Sequence, residues 1–188
     1  MSLPDQRPGT QQVTLRPAQS ADATYLSRWR DEPSVRQFQP LGSASLAQLQ
    51  AELGRQKMTD LYRGKGDKFQ WIIRLDEQPI GWITLVVTNW DHGLAEMGYA
   101  LSTPFQRRSL MPQALTQLLS ELFLRTKLER LEARCAVDNT ASLKVLEGLG
   151  FQREGLLRDY FVLRGQRVDN YLYAILRRDF LPSLQDQS

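Results

Sequence analysis

The chain has 188 residues, a length that suits one ordinary domain with a well-filled core and is short for two. Its 24 basic and 21 acidic side chains leave a net charge of +3, too small to indicate a dedicated nucleic-acid surface but enough to attract a polyanionic ligand. No apolar run approaches the roughly 20 residues that cross a bilayer, no signal peptide opens the sequence, and the single cysteine cannot form an internal disulfide, so we expect a cytoplasmic protein with no membrane partner.

Residues 1–12 are polar, contain Pro4, Pro8 and Gly9, and show no periodicity, which predicts an N-terminal tail. The domain is predicted to span residues 13–180, and residues 181–188 are predicted to form a second tail. The elements predicted in the first half of the domain are a strand at 13–17, helices at 21–30 and 45–61, and strands at 69–75, 80–88 and 94–101.

Residues 112–126 place apolar side chains at helical spacing, and Pro112 suits the first turn of that helix because no helical hydrogen bond is lost there. A strand at 131–137 follows, then a helix that begins near Asn139, and finally a hairpin of strands 156–163 and 168–176. This order predicts a mixed α/β (α+β) fold.

The segment 131–160 is the most informative part of the sequence. Asp138 or Asn139 can cap the following helix with a side-chain oxygen, and Gly150 can end it in the left-handed conformation that helix C-termini favour. The pattern D-N-T-A-S-x-x-V-L-E-x-L-G-F-x-x-E-G in this segment resembles the acetyl-coenzyme-A-binding end of the GNAT N-acetyltransferases, in particular the branch of RimJ/RimL-like ribosomal-protein N-terminal-alanine acetyltransferases.

The resemblance implies a GNAT fold, with a mixed, mostly antiparallel central sheet flanked by helices. It also implies transfer of an acetyl group from acetyl-coenzyme A to a primary amine by direct attack, without a metal. The acceptor in that branch is a protein N-terminus, in some cases ribosomal, and a small-molecule amine is equally compatible with the sequence. Either a monomer or a homodimer is compatible with it as well.

Residues 105–114, FQRRSLMPQA, open the helix 112–126 and resemble the Q/R-x-x-G-x-G/A signature with which this family holds the pyrophosphate of the cofactor. Ser109 replaces the first glycine of the signature, so it must adopt glycine-like geometry or displace the cofactor. The residues predicted to bind the cofactor here are Gln106, Arg107, Arg108, Ser109, Leu110 and Met111.

The resemblance places Asn139 against the pantetheine arm of the cofactor and Ser142 near its sulfur. Many relatives carry a tyrosine seven residues after the asparagine as the proton donor to the departing thiolate, and this chain has Leu146 there. Ser142, or a water that it holds, is therefore the predicted donor. The alternative is that Asn139 only caps the helix.

Removal of a proton from the amine is assigned to Glu96, because the resemblance puts its strand beside the thioester, with Glu132 on the neighbouring strand as the second candidate. A backbone N–H of Met97 or Tyr99, at a bulge eased by Gly98, is predicted to bind the thioester carbonyl. The only histidine, His92, lies in a turn sequence without a second ligand, so no metal site is expected.

Two rival functions stay open at this point. Ser109, Leu146 and Gln113, which stands where this branch often has glutamate, depart from the family pattern, and together they are compatible with a catalytically silent module that binds coenzyme A without turning it over. Arg107, Arg108 and the basic loop 63–68 are compatible with nucleic-acid association, which the small net charge makes the weaker rival.

Overall fold

A computed structural model gives the fold of the chain and describes residues 12–185. Seven strands form one sheet: β1 (Val13–Pro17), β2 (Lys68–Leu75), β3 (Gln78–Asn89), β4 (Leu94–Leu101), β5 (Arg130–Ala136), β6 (Gln152–Leu163) and β7 (Gln166–Leu176). The helices are α1 (Ala23–Arg30), α2 (Pro33–Arg36), α3 (Leu46–Arg55), α4 (Met58–Tyr62), α5 (Leu110–Arg125), α6 (Thr140–Gly148) and α7 (Arg177–Gln185). The mixed α/β class predicted from the sequence is confirmed.

The sheet has the strand order β1-β2-β3-β4-β5-β7-β6, and every neighbouring pair is antiparallel except β4 and β5. β4 reaches the parallel β5 through α5, whose length and apolar stripe cover one face of the sheet. Leu115, Leu118, Leu119, Leu122 and Phe123 of α5 are all fully buried in that layer, as their spacing predicts.

The opposite face of the sheet carries a smaller apolar cluster under α1 and α3. Trp29 of α1 stacks on Trp82 of β3 with ring centroids 6.1 Å apart, and Leu49 and Leu53 of α3 complete the contact with Ile72. The sheet is therefore covered on both sides over β2 and β3, which explains why β2 reads as a nearly continuous apolar run rather than an alternating one.

β4 and β5 pair over only three rows, Leu94 with Arg130, Ala95 with Leu131 and Glu96 with Glu132. Beyond this point β4 continues to Leu101 and β5 continues to Ala136, but the two strands no longer pair with each other. β4 stays paired with β3 on its other edge, and β5 stays paired with β7. The sheet therefore opens in the middle, between two strands whose outer edges stay paired.

The helix predicted at 45–61 is two helices, and the break has a tertiary cause. Gln56 is extended, and its side-chain amide accepts from the Gln70 N–H (2.6 Å) and donates to the Gln70 carbonyl (3.0 Å). These bonds give hydrogen-bond partners to the backbone of β2 just beyond the end of β1. Helix propensity depends on neighbouring residues only, so it could not predict this long-range contact.

Other boundaries also differ from the sequence prediction. A 3₁₀ turn at Ser20–Asp22 precedes α1, α2 was not predicted, α5 begins two residues before Pro112, and β6 begins at Gln152. The predicted bulge at Gly98 was wrong: β3 and β4 stay in register there, and the irregularity lies between Val87 and Asn89. α7 continues past residue 180 to Gln185, and the predicted tail 1–12 lies outside the described residues except for Gln12.

Candidate active site

A cavity of about 370 Å³ lies where β4 and β5 separate. Residues from both sides of the opening line it, including Met97, Gly98 and Tyr99 of β4 and Ala133, Arg134 and Cys135 of β5. The remaining walls come from α6, from β2 and β3, from the segment 38–42 that follows α2, and from Arg30 of α1, Phe161 of β6 and Asn170 of β7. The opening of the sheet thus creates a cavity lined by residues from both of its faces.

On the face under α1 and α3, the register of the strands places two rows of side chains against the cavity. In the first row, Lys68 of β2 is the partner of Val86 in β3, which is the partner of Glu96 in β4. In the second row, Gln70, Thr84 and Gly98 are partners in the same way. Alternating residues of a strand point to opposite faces, so these side chains share one face of the sheet. An added Cβ at Gly98 would meet no atom within 4 Å, because the space above it is the cavity itself.

The opposite face of the opening carries three groups close to one another. The Tyr99 hydroxyl lies 2.8 Å from Ser142 Oγ, and Cys135 sits beside the same serine. Burial raises the pKa of the Tyr99 phenol well above its usual value, against a smaller lowering by Ser142. Burial also raises the pKa of the Cys135 thiol, to about 11. Both groups therefore keep their protons at neutral pH.

Asn139 caps α6, as its position predicts. Its side-chain oxygen accepts the Ser142 N–H at 3.2 Å, and the residue also lines the cavity. The capping bond uses the amide oxygen, so the amide N–H groups are the part of Asn139 available to a ligand in the cavity. Gly150 ends the helix with φ +86°, and Leu146 is buried against the core.

Glu96 belongs to a chain of ion pairs that links side chains of β4, β5 and β6. It accepts from Arg134, whose other guanidinium nitrogen lies 3.9 Å from Glu132, and Glu132 accepts from Arg130 at 2.9 Å. Arg130 also donates to Glu154 at 2.8 and 2.5 Å. The arginines offset the repulsion of Glu96 and Glu132, which are direct neighbours in the register. Glu96 lines the cavity, whereas Glu132 lies outside its lining.

The predicted cofactor loop begins with Gln106, whose side chain is turned inward. Its Nε2 donates to the Leu101 carbonyl (2.9 Å) and to Ser34 Oγ (3.1 Å), so Gln106 anchors the loop. Leu110 and Met111 are buried in the core, which leaves their backbone as the part able to face a ligand. Arg107 and Arg108 are exposed, and the Arg108 guanidinium lies over the Phe105 ring.

Ser109 adopts the geometry that glycine provides in the family signature. It is left-handed, with φ +53° and ψ +25°, and Arg107 two residues earlier has φ +60°. Left-handed residues of this kind turn successive backbone N–H groups toward one concave surface. The first turn of a helix also leaves its N–H groups without helical partners, so the start of α5 is suited to an anion.

A hydrogen bond from Gln39 shows which backbone groups of β4 face the opening. Its Nε2 donates to the Tyr99 carbonyl at 2.7 Å, which shows that Tyr99 turns its backbone away from β3. Because backbone direction alternates along a strand, Met97 turns its N–H toward the opening as well. The predicted role of the Met97 N–H therefore does not need a bulge.

Sequence reasoning missed two cavity side chains, Tyr99 and Arg134, as functional candidates. Only the backbone of Tyr99 was predicted to act in the site, since no local signal links its side chain to Ser142.

Within residues 12–185, no group of three or more His, Cys, Asp or Glu side chains is arranged to hold a metal ion. No helix in the described part of the chain is long and apolar enough to cross a membrane.

Residues 12–152 match the acetyltransferase (GNAT) domain family, so the chain belongs to this family and is an N-acetyltransferase. It is similar to the uncharacterized N-acetyltransferase p20 of Bacillus licheniformis, with 31% identity over 175 residues that cover 91% of this chain and 96% of p20. It is also 31% identical over 86 residues to the ribosomal protein uS5 alanine N-acetyltransferase of Escherichia coli (strain K12), covering 46% of this chain and 44% of that enzyme.

Solved structures show the same fold. Mycobacterium smegmatis RimJ in complex with CoA-disulfide has a TM-score of 0.76 and 27% identity, covering 90% of this chain and 84% of RimJ. Spermidine N-acetyltransferase from Vibrio cholerae in complex with CoA and spermine has a TM-score of 0.77 at 20% identity, covering 90% and 98% of the two chains, which is a likeness of fold alone. The predicted GNAT fold is confirmed.

Proposed function

We propose that the protein transfers the acetyl group of acetyl-coenzyme A to a primary amine by direct attack in the opening between β4 and β5. The observation that carries this proposal is the placement of the candidate base and acid on opposite faces of one open sheet. Glu96 lies on the face under α1 and α3, and Ser142 lies on the face under α5 and α6. An amine entering from the first face meets a thioester whose sulfur leaves toward the second.

The cofactor end of the site is assigned to the starts of α5 and α6. Backbone N–H groups from Ser109 to Met111 would hold the pyrophosphate at the positive end of the α5 dipole, with Arg107 and Arg108 beside it. The Asn139 amide would bind the pantetheine arm from the start of α6. This assignment is supported by the left-handed geometry of Ser109 and by the contact between α5 and α6. Complexes of structurally similar acetyltransferases with coenzyme A support it further.

The Met97 N–H is the group we assign to the thioester carbonyl, because it faces the opening from an otherwise paired strand. A fixed backbone donor stabilises the oxyanion that forms as the amine attacks. Ser142 then passes its hydroxyl proton to the departing thiolate, and the proton that Glu96 takes from the amine returns to Ser142 through water in the cavity. We assign Tyr99, held protonated by burial, as the donor to Ser142 Oγ, which leaves the serine proton for the thiolate.

Glu96 is the carboxylate we assign to removal of the amine proton, directly or through a water. It lines the cavity on the acceptor face, and Arg134 fixes one of its oxygens. Glu132 stays the second candidate, and it reaches the cavity only by way of Arg134. A protein N-terminal amine, ribosomal or otherwise, and a small-molecule amine are both acceptors of the required chemistry.

Titration calorimetry with acetyl-coenzyme A, followed by thiol release with a panel of primary amines, tests the proposal. We expect binding and amine-dependent release of coenzyme A. Binding without thiol release from any amine would instead identify a silent coenzyme-A-binding module. Salt-sensitive nucleic-acid binding without coenzyme A binding would identify the third candidate function.

A further inference from the structure

The acceptor face of the cavity carries more positive than negative charge. Four charged side chains line the cavity: Arg30, Lys68 and Arg134 are cationic, and Glu96 is the one carboxylate. Arg134 and Glu96 form an ion pair with each other. Their charges offset locally, so the unbalanced charges at the cavity wall are those of Arg30 and Lys68.

Arg30 has no carboxylate partner among the ion pairs of residues 12–185. Its Nη2 donates to the Gly42 carbonyl at 3.0 Å, which leaves further guanidinium donors available. Of the two acidic residues that follow it in the chain, Glu32 accepts from the N–H and hydroxyl of Thr103 at 2.6 Å, and Asp31 forms an exposed ion pair with Arg36 at 3.6 Å. Neither forms an ion pair with Arg30 among the described residues.

Lys68 is paired with Glu52 of α3, but both side chains are well solvated, with 41% and 35% of their surfaces exposed. Ion pairs of this kind contribute little, because water screens the attraction and ordering two long side chains costs entropy. A carboxylate bound in the cavity can therefore compete with Glu52 for the Lys68 ammonium.

The cavity wall also carries the large apolar side chains of Trp82, Phe38 and Leu41. A second, smaller cavity of about 210 Å³ adjoins it, because both cavities share Arg30, Leu41 and Gly42. An acceptor longer than one residue can continue into that second cavity past Arg30.

We infer that the acceptor bears a carboxylate in addition to its amine, and that the positive charge of Arg30 and Lys68 at the cavity wall favours this carboxylate while the amine reaches Glu96. The inference rests on the proposed acetyl transfer and narrows its acceptor to amines with an acidic group. Amines of this kind are free amino acids or peptides with an acidic residue near the N-terminus. A polyamine would place several positive charges against Arg30 and Lys68, which disfavours its binding.

The test compares acceptors matched in size under saturating acetyl-coenzyme A. One pair is a short peptide with alanine first and either aspartate or lysine second, and another pair is an amino acid with a free or an amidated carboxylate. Spermidine is the polycation. We expect kcat/KM to be at least roughly tenfold higher for the acidic member of the preferred pair, and spermidine to be the poorest acceptor. The two pairs distinguish a peptide from a free amino acid as the source of the carboxylate.

Arg30→Met and Lys68→Met should each bring the ratio of kcat/KM between the two members of the preferred pair down toward unity, mainly by raising KM for the acidic member. Arg55→Met is the matched control, since Arg55 is exposed at the end of α3 and outside both cavities, and it should leave the preference unchanged. Melting temperatures of the variants separate loss of preference from loss of fold.

Acetylation with no charge preference, or a preference for spermidine, would overturn the inference and leave the proposed acetyl transfer intact. A preference that persists in both Arg30→Met and Lys68→Met would also overturn it. Failure of every amine to release thiol, with coenzyme A bound, would overturn the proposed transfer and this inference together.

Discussion

The Tyr99 hydroxyl and Ser142 Oγ lie 2.8 Å apart, between residues that are 43 positions apart in the sequence. A phenol is the stronger donor of the two, and burial keeps Tyr99 protonated by raising its pKa. When Tyr99 donates, the single proton of the Ser142 hydroxyl is left for another acceptor, either the neighbouring Cys135 sulfur or the departing thiolate in the cavity. Tyr99 is therefore a positioning residue for the proposed proton donor.

Ser142→Ala should lower turnover by roughly ten- to a thousandfold while coenzyme A affinity changes little, since a positioned acid acts on the transition state. Tyr99→Phe should also lower turnover, and the double variant should be no slower than Ser142→Ala alone, because Tyr99 acts through the serine. Steady-state thiol release with a saturating acceptor measures all three. Tyr25→Phe, at a partly exposed tyrosine, is the control. Additive losses, or an unchanged Ser142→Ala enzyme, would contradict this account.

Gly98→Val should leave the fold intact and reduce turnover at least roughly a hundredfold, because its side chain would enter the cavity without meeting protein atoms. Glycine is also unfavourable in a strand, so the melting temperature should stay the same or rise. Gly155→Val is the matched control: Gly155 lies in β6, outside the cavity lining, and an added Cβ there meets nothing within 4 Å. Equal activity of both variants would show that the cavity is not the reaction site.

Ser109→Gly should stabilise the protein by about 0.5–1 kcal/mol, since glycine adopts the left-handed conformation at φ +53° without the steric cost borne by serine. Coenzyme A affinity should stay equal or increase, because the backbone geometry is retained. Urea unfolding measures the first effect and calorimetry the second. A destabilised variant would indicate that the serine side chain contributes a contact that the start of α5 needs.

Cys135 should make the folded protein less stable at alkaline pH. Burial raises its pKa from 9.0 to about 11, so between these values the unfolded chain has lost a proton that the folded chain retains. Stability therefore falls as pH rises across that window and is unaffected by this group below pH 9. Relative to Cys135→Ala, wild-type protein should lose about 1–2 kcal/mol between pH 8 and roughly pH 10.5. Parallel pH profiles of the two proteins, measured by urea unfolding, would exclude this linkage.

Local features were predictable from the sequence because their causes are local. The Asn139 cap, the left-handed Gly150 and the apolar stripe of α5 each depend on a few consecutive residues. The break at Gln56 was not predictable in this way, because it depends on the Gln70 backbone on a strand formed later in the chain.

The same limit applies to the site. Sequence reasoning chose Glu96 and Ser142 individually, but the ion pair of Glu96 with Arg134 and the bond of Ser142 to Tyr99 depend on which strands and helices are neighbours. Gln106 shows the same limit. Its predicted contact with the cofactor stays a prediction, and its side-chain amide donates to the Leu101 carbonyl and to Ser34 Oγ, two bonds that its place in the signature did not indicate.

Mass spectra of the reaction quenched at a series of times test the central claim most directly, since each spectrum reads the enzyme and the acceptor together during turnover. With acetyl-coenzyme A and a reactive amine, direct attack predicts one acetyl group on each product amine and none on the enzyme at any time. An acetylated enzyme that appears and decays at the rate of turnover, on Ser142 or Cys135, would contradict direct transfer.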